Sequence, residues 1–549
     1  LTEYSLLSTD FRATISYNAD LGKTGDHIIS LFGGGELNST DRQYTWFRGW
    51  GYQYNNGGVP YLDYRLFKQG QEENSVYYSN DFTYYRNLAF FGMATYSYKG
   101  RYTINGTIRY EGTNKLGKSR NARWLPTWNV SGAWNAHEED WWYPTFGTAW
   151  SYASLKGSYS LTADRGPAGV TNSLAVFSSF TPFRPSTNAS ETGIQLYDIE
   201  NSELTYEKKH ELNIGVAFGF VDNRVNVEFD WYRRNNYDLI GYVQTMGVGG
   251  QTTKLANDAT MQSTGCEFTI STVNIKAKDF KWTTDWIFGW AQNEITKLDS
   301  RSQVYQLVNG YGRMQGRPVG ALYSIPFAGL TEEGLPTFYI DAEHTQIAGP
   351  SNYDAIYFQE YEKVDYLKYE GTIDPKITGS FGNTFSWKGL KLNVFFTYSF
   401  GNVLRLDPLC PVYGSDYSDL TASMKEMKNR WMIPGDEQIT TIPSIATVRQ
   451  MREINALNNA YSAYNYSTER VAKGDFIRLK ELSLAYDLPK KVLEGQNAIS
   501  SFGLKLSATN LWLAYADKKL NGRDPEYYNS GGVSSPVPRQ FTLTVKLGF

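Results

Sequence analysis

The sequence predicts an all-β chain of antiparallel strands, and three observations predict it. Alternation of apolar and polar residues at period two recurs along all 549 residues, and a strand turns successive side chains to opposite faces. No run of about 18 apolar residues occurs, so no transmembrane helix is encoded. The segments between alternating stretches are by turns short and long, as in a barrel with tight turns at one rim and long loops at the other. The fold class is a transmembrane antiparallel β-barrel portion, with long extracellular loops and short periplasmic turns.

The strands follow in order. Phe11, Ala13, Ile15 and Tyr17 alternate with Arg12, Thr14, Ser16 and Asn18, and a turn at 23–26 leads to a second strand at 27–35. A long polar and aromatic segment precedes a strand at 86–98, a tight turn at Lys99 and Gly100, and a strand at 101–111. There Tyr102, Ile104, Gly106, Ile108 and Tyr110 share one face. Further strands read at 125–135, 151–162, 207–220, 224–237, 262–274, 280–293, 376–388, 390–401, 475–488, 502–513 and 539–549, giving about fifteen. In the last, Phe541, Leu543, Val545, Leu547 and Phe549 alternate with Thr542, Thr544, Lys546 and Gly548, the pattern of a closing strand and barrel assembly signal. That strand follows a long loop and so runs inward. Counting back fifteen, the first also runs inward, and since bacterial barrels have even strand numbers, the chain is expected to begin mid-barrel.

Composition bounds the rest. Aromatic residues make up 16%, with 42 Tyr, 29 Phe and 15 Trp, and Tyr and Trp suit interfaces with one apolar and one wet side. A mean hydropathy of −0.46 does not separate a soluble protein from a barrel, in which only alternate residues face lipid. The opening five residues carry neither the basic start nor the apolar core of a signal peptide. A net charge of −3 gives no reason to invoke nucleic acid. The two cysteines, Cys266 and Cys410, exclude a disulfide scaffold and leave open whether they pair.

No catalytic or metal-binding constellation emerges, and none is expected for a cofactor. The four histidines, His27, His137, His210 and His344, fall in separate segments, and His137 lacks the second histidine of a zinc helix. Asp416 and Asp419 show no regular calcium-ligand spacing. Trp282, Trp286 and Trp290 share one strand face, which fits a girdle or lipid-facing role. The loops at 294–375 and 402–474 each exceed seventy residues and are expected to be ordered, packing on one another or on a partner. Their aromatic residues Tyr413, Tyr417 and Trp431 are the candidates for substrate binding, because an aromatic face in a wet loop suits a sugar ring or a peptide side chain.

Short motifs in sequential order resemble one family. Tyr96-Ser97-Tyr98-Lys99-Gly100-Arg101-Tyr102 with Ile108-Arg109-Tyr110-Glu111-Gly112 resembles its "YxYkxRY…lRxDGs" hairpin. Leu155-Lys156-Gly157-Ser158-Tyr159 is similar to "LKLRaSyG", and Asp374-Pro375-Lys376-Ile377-Thr378-Gly379 to "DPkit(g)G". Phe476-Ile477-Arg478-Leu479-Lys480 with Tyr486-Asp487-Leu488-Pro489 is similar to "YlRLknl…YtLP", followed by Asp524-Pro525-Glu526 and Pro536-Val537-Pro538-Arg539. The family is that of the SusC/RagA-type TonB-dependent outer-membrane transporters of Bacteroidetes, whose carboxy-terminal barrel part the chain resembles. The resemblance implies a 22-stranded barrel, so that a plug domain and the first strands belong to an amino-terminal part with no counterpart here. It implies active import of oligosaccharides or oligopeptides, no enzymatic activity, a SusD-like lipoprotein partner, and energy from TonB-ExbB-ExbD through the plug. Location would be the outer membrane, against its lipid. A passive porin and a soluble carbohydrate-binding β-protein are the alternative readings.

Overall fold

The computed structural model describes residues 2–22, 25–61, 63–73, 75, 77–116, 123–166, 175–180, 193–201, 204–248, 252–409, 425–489, 499–528 and 538–549. Fifteen strands form one antiparallel sheet in strict sequence order. They are β1 (Thr2–Leu21), β2 (His27–Phe47), β3 (Tyr78–Tyr98), β4 (Tyr102–Thr113), β5 (Trp124–Asn135), β6 (Trp150–Asp164), β7 (Glu207–Phe220), β8 (Val225–Gln244), β9 (Thr253–Lys276), β10 (Phe280–Leu298), β11 (Ile377–Trp387), β12 (Leu390–Phe400), β13 (Phe476–Asp487), β14 (Ser501–Ala516) and β15 (Gln540–Gly548). Among the described residues five helices lie in the connections: α1 (Tyr64–Glu72), α2 (Trp142–Phe146), α3 (Val304–Val308), α4 (Val448–Glu453) and α5 (Leu457–Asn465). No helix among the described residues is long and apolar enough to cross a membrane.

The expected strands are all present, but several run further than alternation indicates. β2 continues to Phe47 and β3 begins at Tyr78, so much of 36–85 is strand, and β8 and β9 likewise shorten the expected connection 238–261. In these extensions the alternation is broken: after Leu37 the same face of β2 continues with Ser39, Asp41, Gln43 and Thr45. Backbone pairing and polar cross-strand contacts hold them instead, such as Arg86 to Asp41 at 2.5 Å and Thr45 to Asn80 at 3.0 Å.

The chain divides into two compact units. In the first (Leu1–Glu138, Leu155–Asn213, Arg234–Met261) the register separates two faces. Phe11 pairs with Leu37 and Leu37 with Leu88, Phe90 with Tyr110, Ile108 with Trp128, and Tyr102 with Trp134, all on the apolar face. On the other face Arg109 bonds Glu36 and also Glu111 at 2.6 Å, and Asn105 donates to Thr95 at 2.5 Å. A small core of Leu116, Leu204 and Tyr206 lies between the strand ends.

The second unit (Glu139–Ser154, Ile214–Arg233, Gln262–Phe549) carries the same division through β10–β15. Trp286 pairs with Phe381, Phe381 with Phe396 and Phe396 with Leu479; Leu484 pairs with Leu506 and Leu506 with Leu543. Trp282, Trp286 and Trp290 belong to this apolar face, as alternation predicts. Each indole N–H that meets a polar atom does so across the sheet: Trp282 to Asn383 and Trp286 to Tyr398, both at 2.9 Å. Trp282 and Trp290 are eight residues apart, about 26 Å along a strand and about 20 Å in height at a tilt of about 40°, which fits within an outer-membrane apolar band about 25 Å tall. The Tyr398 ring lies over Gly379, where an added Cβ would stand 2.4 Å from its hydroxyl, so only glycine lets the ring cross there.

Candidate functional site

Two long connections of the second unit, 299–376 after β10 and 401–475 after β12, fold around one hydrophobic core. The sequence explains how. In α5, Leu457, Ala460, Tyr461 and Tyr464 recur at helical spacing and form one stripe, and all are buried. Thr447 and Gln450 cap α4 reciprocally, the Gln450 N–H reaching the Thr447 hydroxyl at 3.2 Å. From the first connection Leu307, Ile325, Leu335, Phe338 and Tyr353 close over the α5 stripe. The aromatic hydroxyls find backbone acceptors, Tyr353 on Pro336 at 2.8 Å and Tyr461 on Ser444 at 2.7 Å. Burial pushes the Tyr323 hydroxyl up to about 12 and those of Tyr353 and Tyr366 further.

Arg405 is the polar centre of this body. Its guanidinium donates to Ser324 Oγ at 3.1 Å, to the Ser467 carbonyl at 2.9 Å, and to the carbonyls of Val308 and Tyr323. It therefore joins the first connection to the second. Burial holds its ionisation down at about 10. A third connection is tied on by ion pairs. Arg478 of β13, nearly buried, meets Asp524 at 2.5 Å and Glu526 at 3.2 Å, while Arg523 bonds Asp407.

Trp431 lies in this body, half-buried. Its ring covers Gly334, whose φ of +75° forms a turn and where an added Cβ would stand 2.4 Å from the indole. Its Nε1 donates to Glu437 at 3.1 Å. Bonds from Glu437's own backbone N–H, from Trp431 and from Gly435 hold the Glu437 carboxyl below the usual carboxylate range. Asp436 in turn accepts from the backbone N–H groups of Met432 at 2.9 Å and Ile433 at 3.1 Å. Beside this braced turn three apolar side chains stand in water: Met432, Ile433 and Ile439 are 61, 64 and 84% exposed. Sequence reasoning singled out Trp431 and passed over this knob, although an apolar Met-Ile pair before Pro434-Gly435 in a polar loop was a readable signal. Nothing in the pattern marked Arg405.

Tyr413 and Tyr417, with Asp416, Asp419 and Cys410, lie outside the described residues. Cys266 is half-buried in β9 and its thiol is free. His210 stacks on Tyr159 with a contact of 3.2 Å to its hydroxyl. Among the described residues no group of three metal-ligating side chains occurs. Phe541, Leu543, Val545 and Leu547 stand on the apolar face of β15, paired with Ala508, Leu506, Leu504 and Phe502; with Phe549 they are all exposed.

An amphipathic antiparallel sheet in sequence order, apolar and aromatic on one face and polar on the other, defines an outer-membrane β-barrel chain. A scan against protein-family models finds no match. The chain is similar to the TonB-dependent receptor P3 of Formosa agariphila, 26% identical over 84% of this chain and 45% of the relative. It is also similar to the TonB-dependent receptor SusC of Bacteroides thetaiotaomicron, 26% identical over 38% of this chain and 21% of the relative. The solved RagAB peptide transporter shares the fold, with a TM-score of 0.72 and 23% identity over 100% of this chain and 56% of the other. These similarities support a SusC/RagA-type TonB-dependent outer-membrane chain, and the named relatives are receptors and transporters. It spans about half the length of the first curated relatives it matches.

Proposed function

We propose that the chain forms most of the wall and the large outer loops of an active importer for oligosaccharides or oligopeptides. The observation that carries this reading is the folded body on connections 299–376 and 401–475, set on a sheet whose relatives are TonB-dependent receptors. In this reading a plug supplied by the amino-terminal part of the same barrel receives energy from TonB-ExbB-ExbD, and a SusD-like lipoprotein closes the outer side. The knob of Met432, Ile433 and Ile439 suits that docking, since clustered exposed apolar groups mark interaction surfaces. Tyr413, Tyr417 and Trp431 are proposed to face cargo, Trp431 through its ring because its N–H is engaged. The apolar row Phe541, Leu543, Val545, Leu547 and Phe549 is proposed as the assembly signal.

Growth of the source bacterium on defined oligopeptides or oligosaccharides tests the reading. Deleting the gene should abolish growth on one such class, and deleting tonB should do the same. Growth that depends on the gene but not on TonB would make the chain part of a passive porin. Met432→Asp with Ile433→Asp should reduce co-purification of the lipoprotein while the barrel assembles; undiminished recovery would move docking to other loops.

A further inference from the structure

We infer that the polar face of β11–β15 carries a carboxylate-binding cleft built around Lys391, Lys505 and Lys546. The cleft has a volume of about 400 Å³. Its floor is small by sequence: Ala485 pairs with Lys391 on one side and Lys505 on the other, and Gly503 pairs with Lys546. An added Cβ on Gly503 would stand 2.7 Å from an Asp487 carboxylate oxygen, so a side chain there would displace the Asp487 carboxylate and enter the cleft. Larger residues at 485 and 503 would fill the hollow, and the lysines would then line a flat wall.

The charges do not balance within the cleft. Lys505 meets Glu481 at 3.3 Å. Lys391 and Lys546 have no carboxylate within ion-pair distance among the described residues, which leaves three cations against Glu481 and Asp487. Cross-strand neighbours on a sheet commonly pair opposite charges; here the row reads Lys391, Ala485, Lys505, Thr544. Lys391 and Lys505 are two strands apart, about 10 Å, so an anion over Ala485 stands about 5 Å from each strand. A carboxylate seated there completes the row and accepts from both ammonium groups.

The carboxylate has two sources: an acidic side chain of a polypeptide seated against this face, or a soluble acid passing along it. The first source rests on the reading of this face as the inner wall of an importer; the cleft chemistry does not. The test is acylation of lysines in the full-length transporter, purified in detergent and followed by peptide mass spectrometry, with exposed Lys278 as the open reference. A seated polypeptide carboxylate predicts that Lys391 and Lys546 react slowly from the outset, and that protection weakens as salt is raised. A soluble source predicts reaction at the rate of Lys278. Acetylated triglutamate at about ten times its Kd then slows Lys391 and Lys505 about tenfold, and triglutamine does not. Ala485→Leu, which keeps every lysine, should abolish either protection. Rates equal to that of Lys278 with and without the probe, or protection indifferent to both salt and Ala485→Leu, would overturn the proposal. Growth and uptake are read separately, so loss of the import reading would leave this result standing.

Discussion

Arg405→Ala should loosen the folded loop body while leaving the sheet intact. The guanidinium serves four acceptors, at Val308, Tyr323, Ser324 and Ser467, and so bridges residues that are far apart in the chain. Hydrogen bonds to a charged group are worth about 1.5–3 kcal/mol each, and the acceptors left behind are buried. Against this, the variant sheds the desolvation of a buried charge, which is real because burial already holds Arg405 ionisation at about 10. The net loss is about 3–5 kcal/mol, borne by the loop body alone. Limited proteolysis of outer-membrane vesicles, with the full-length gene expressed at wild-type level, reads it out. New cleavage should fall within 299–376 and 401–475, while the barrel keeps its heat-modifiable migration. Arg405→Lys should not rescue, because one ammonium cannot reach acceptors on opposite sides as a planar fork does. Wild-type cleavage in Arg405→Ala would refute the claim that this residue joins the two connections.

Other outcomes follow from single positions. Gly334→Ala should cost about 1–2 kcal/mol from its left-handed backbone alone, and more as the Trp431 ring is displaced, measured as faster cleavage near 331–335. Leu506→Arg on the apolar face should lower the yield of assembled barrel, at a cost of about 2–4 kcal/mol in mid-membrane, whereas Ser507→Arg on the polar face should assemble normally. Bonds from Thr345 and Gln346 hold the Asp341 carboxyl below the ordinary range. Its stabilisation is therefore complete above the ordinary carboxylate pKa and lost as pH falls through the depressed value. Deuterium uptake at 341–346 should rise only below about pH 4, and Asp341→Asn should remove that dependence.

The sheet was legible wherever lipid imposes a pattern. Tyr102 to Tyr110 and Phe541 to Phe549 alternate because one face meets hydrocarbon and the other does not, and all fifteen strands carry some such stretch. Where both faces meet water the pattern fades. Asn38 to Gln43 reads as a connection, yet it is β2, held by its backbone register with β1 and β3. The loop body was legible in part. The α5 stripe and the Thr447–Gln450 cap are local and readable, but the core joins Leu307 and Phe338 to Tyr464 across more than a hundred residues, and no local spacing encodes that. Trp431 drew attention as an exposed aromatic residue; the fold gives its ring a glycine to cover and its N–H an acceptor.

One face of the sheet meets lipid and the other meets water. Single cysteines at Leu504, Lys505, Leu506 and Ser507, placed in the full-length gene with Cys266 and Cys410 replaced by serine, test it in outer-membrane vesicles. A membrane-impermeant maleimide should label positions 505 and 507 once the vesicles are opened, and a lipid-phase quencher should reach only probes at 504 and 506. Equal labelling at all four positions, or quenching at 505 and 507, would contradict the assignment and with it the reading of this chain as a membrane-spanning wall.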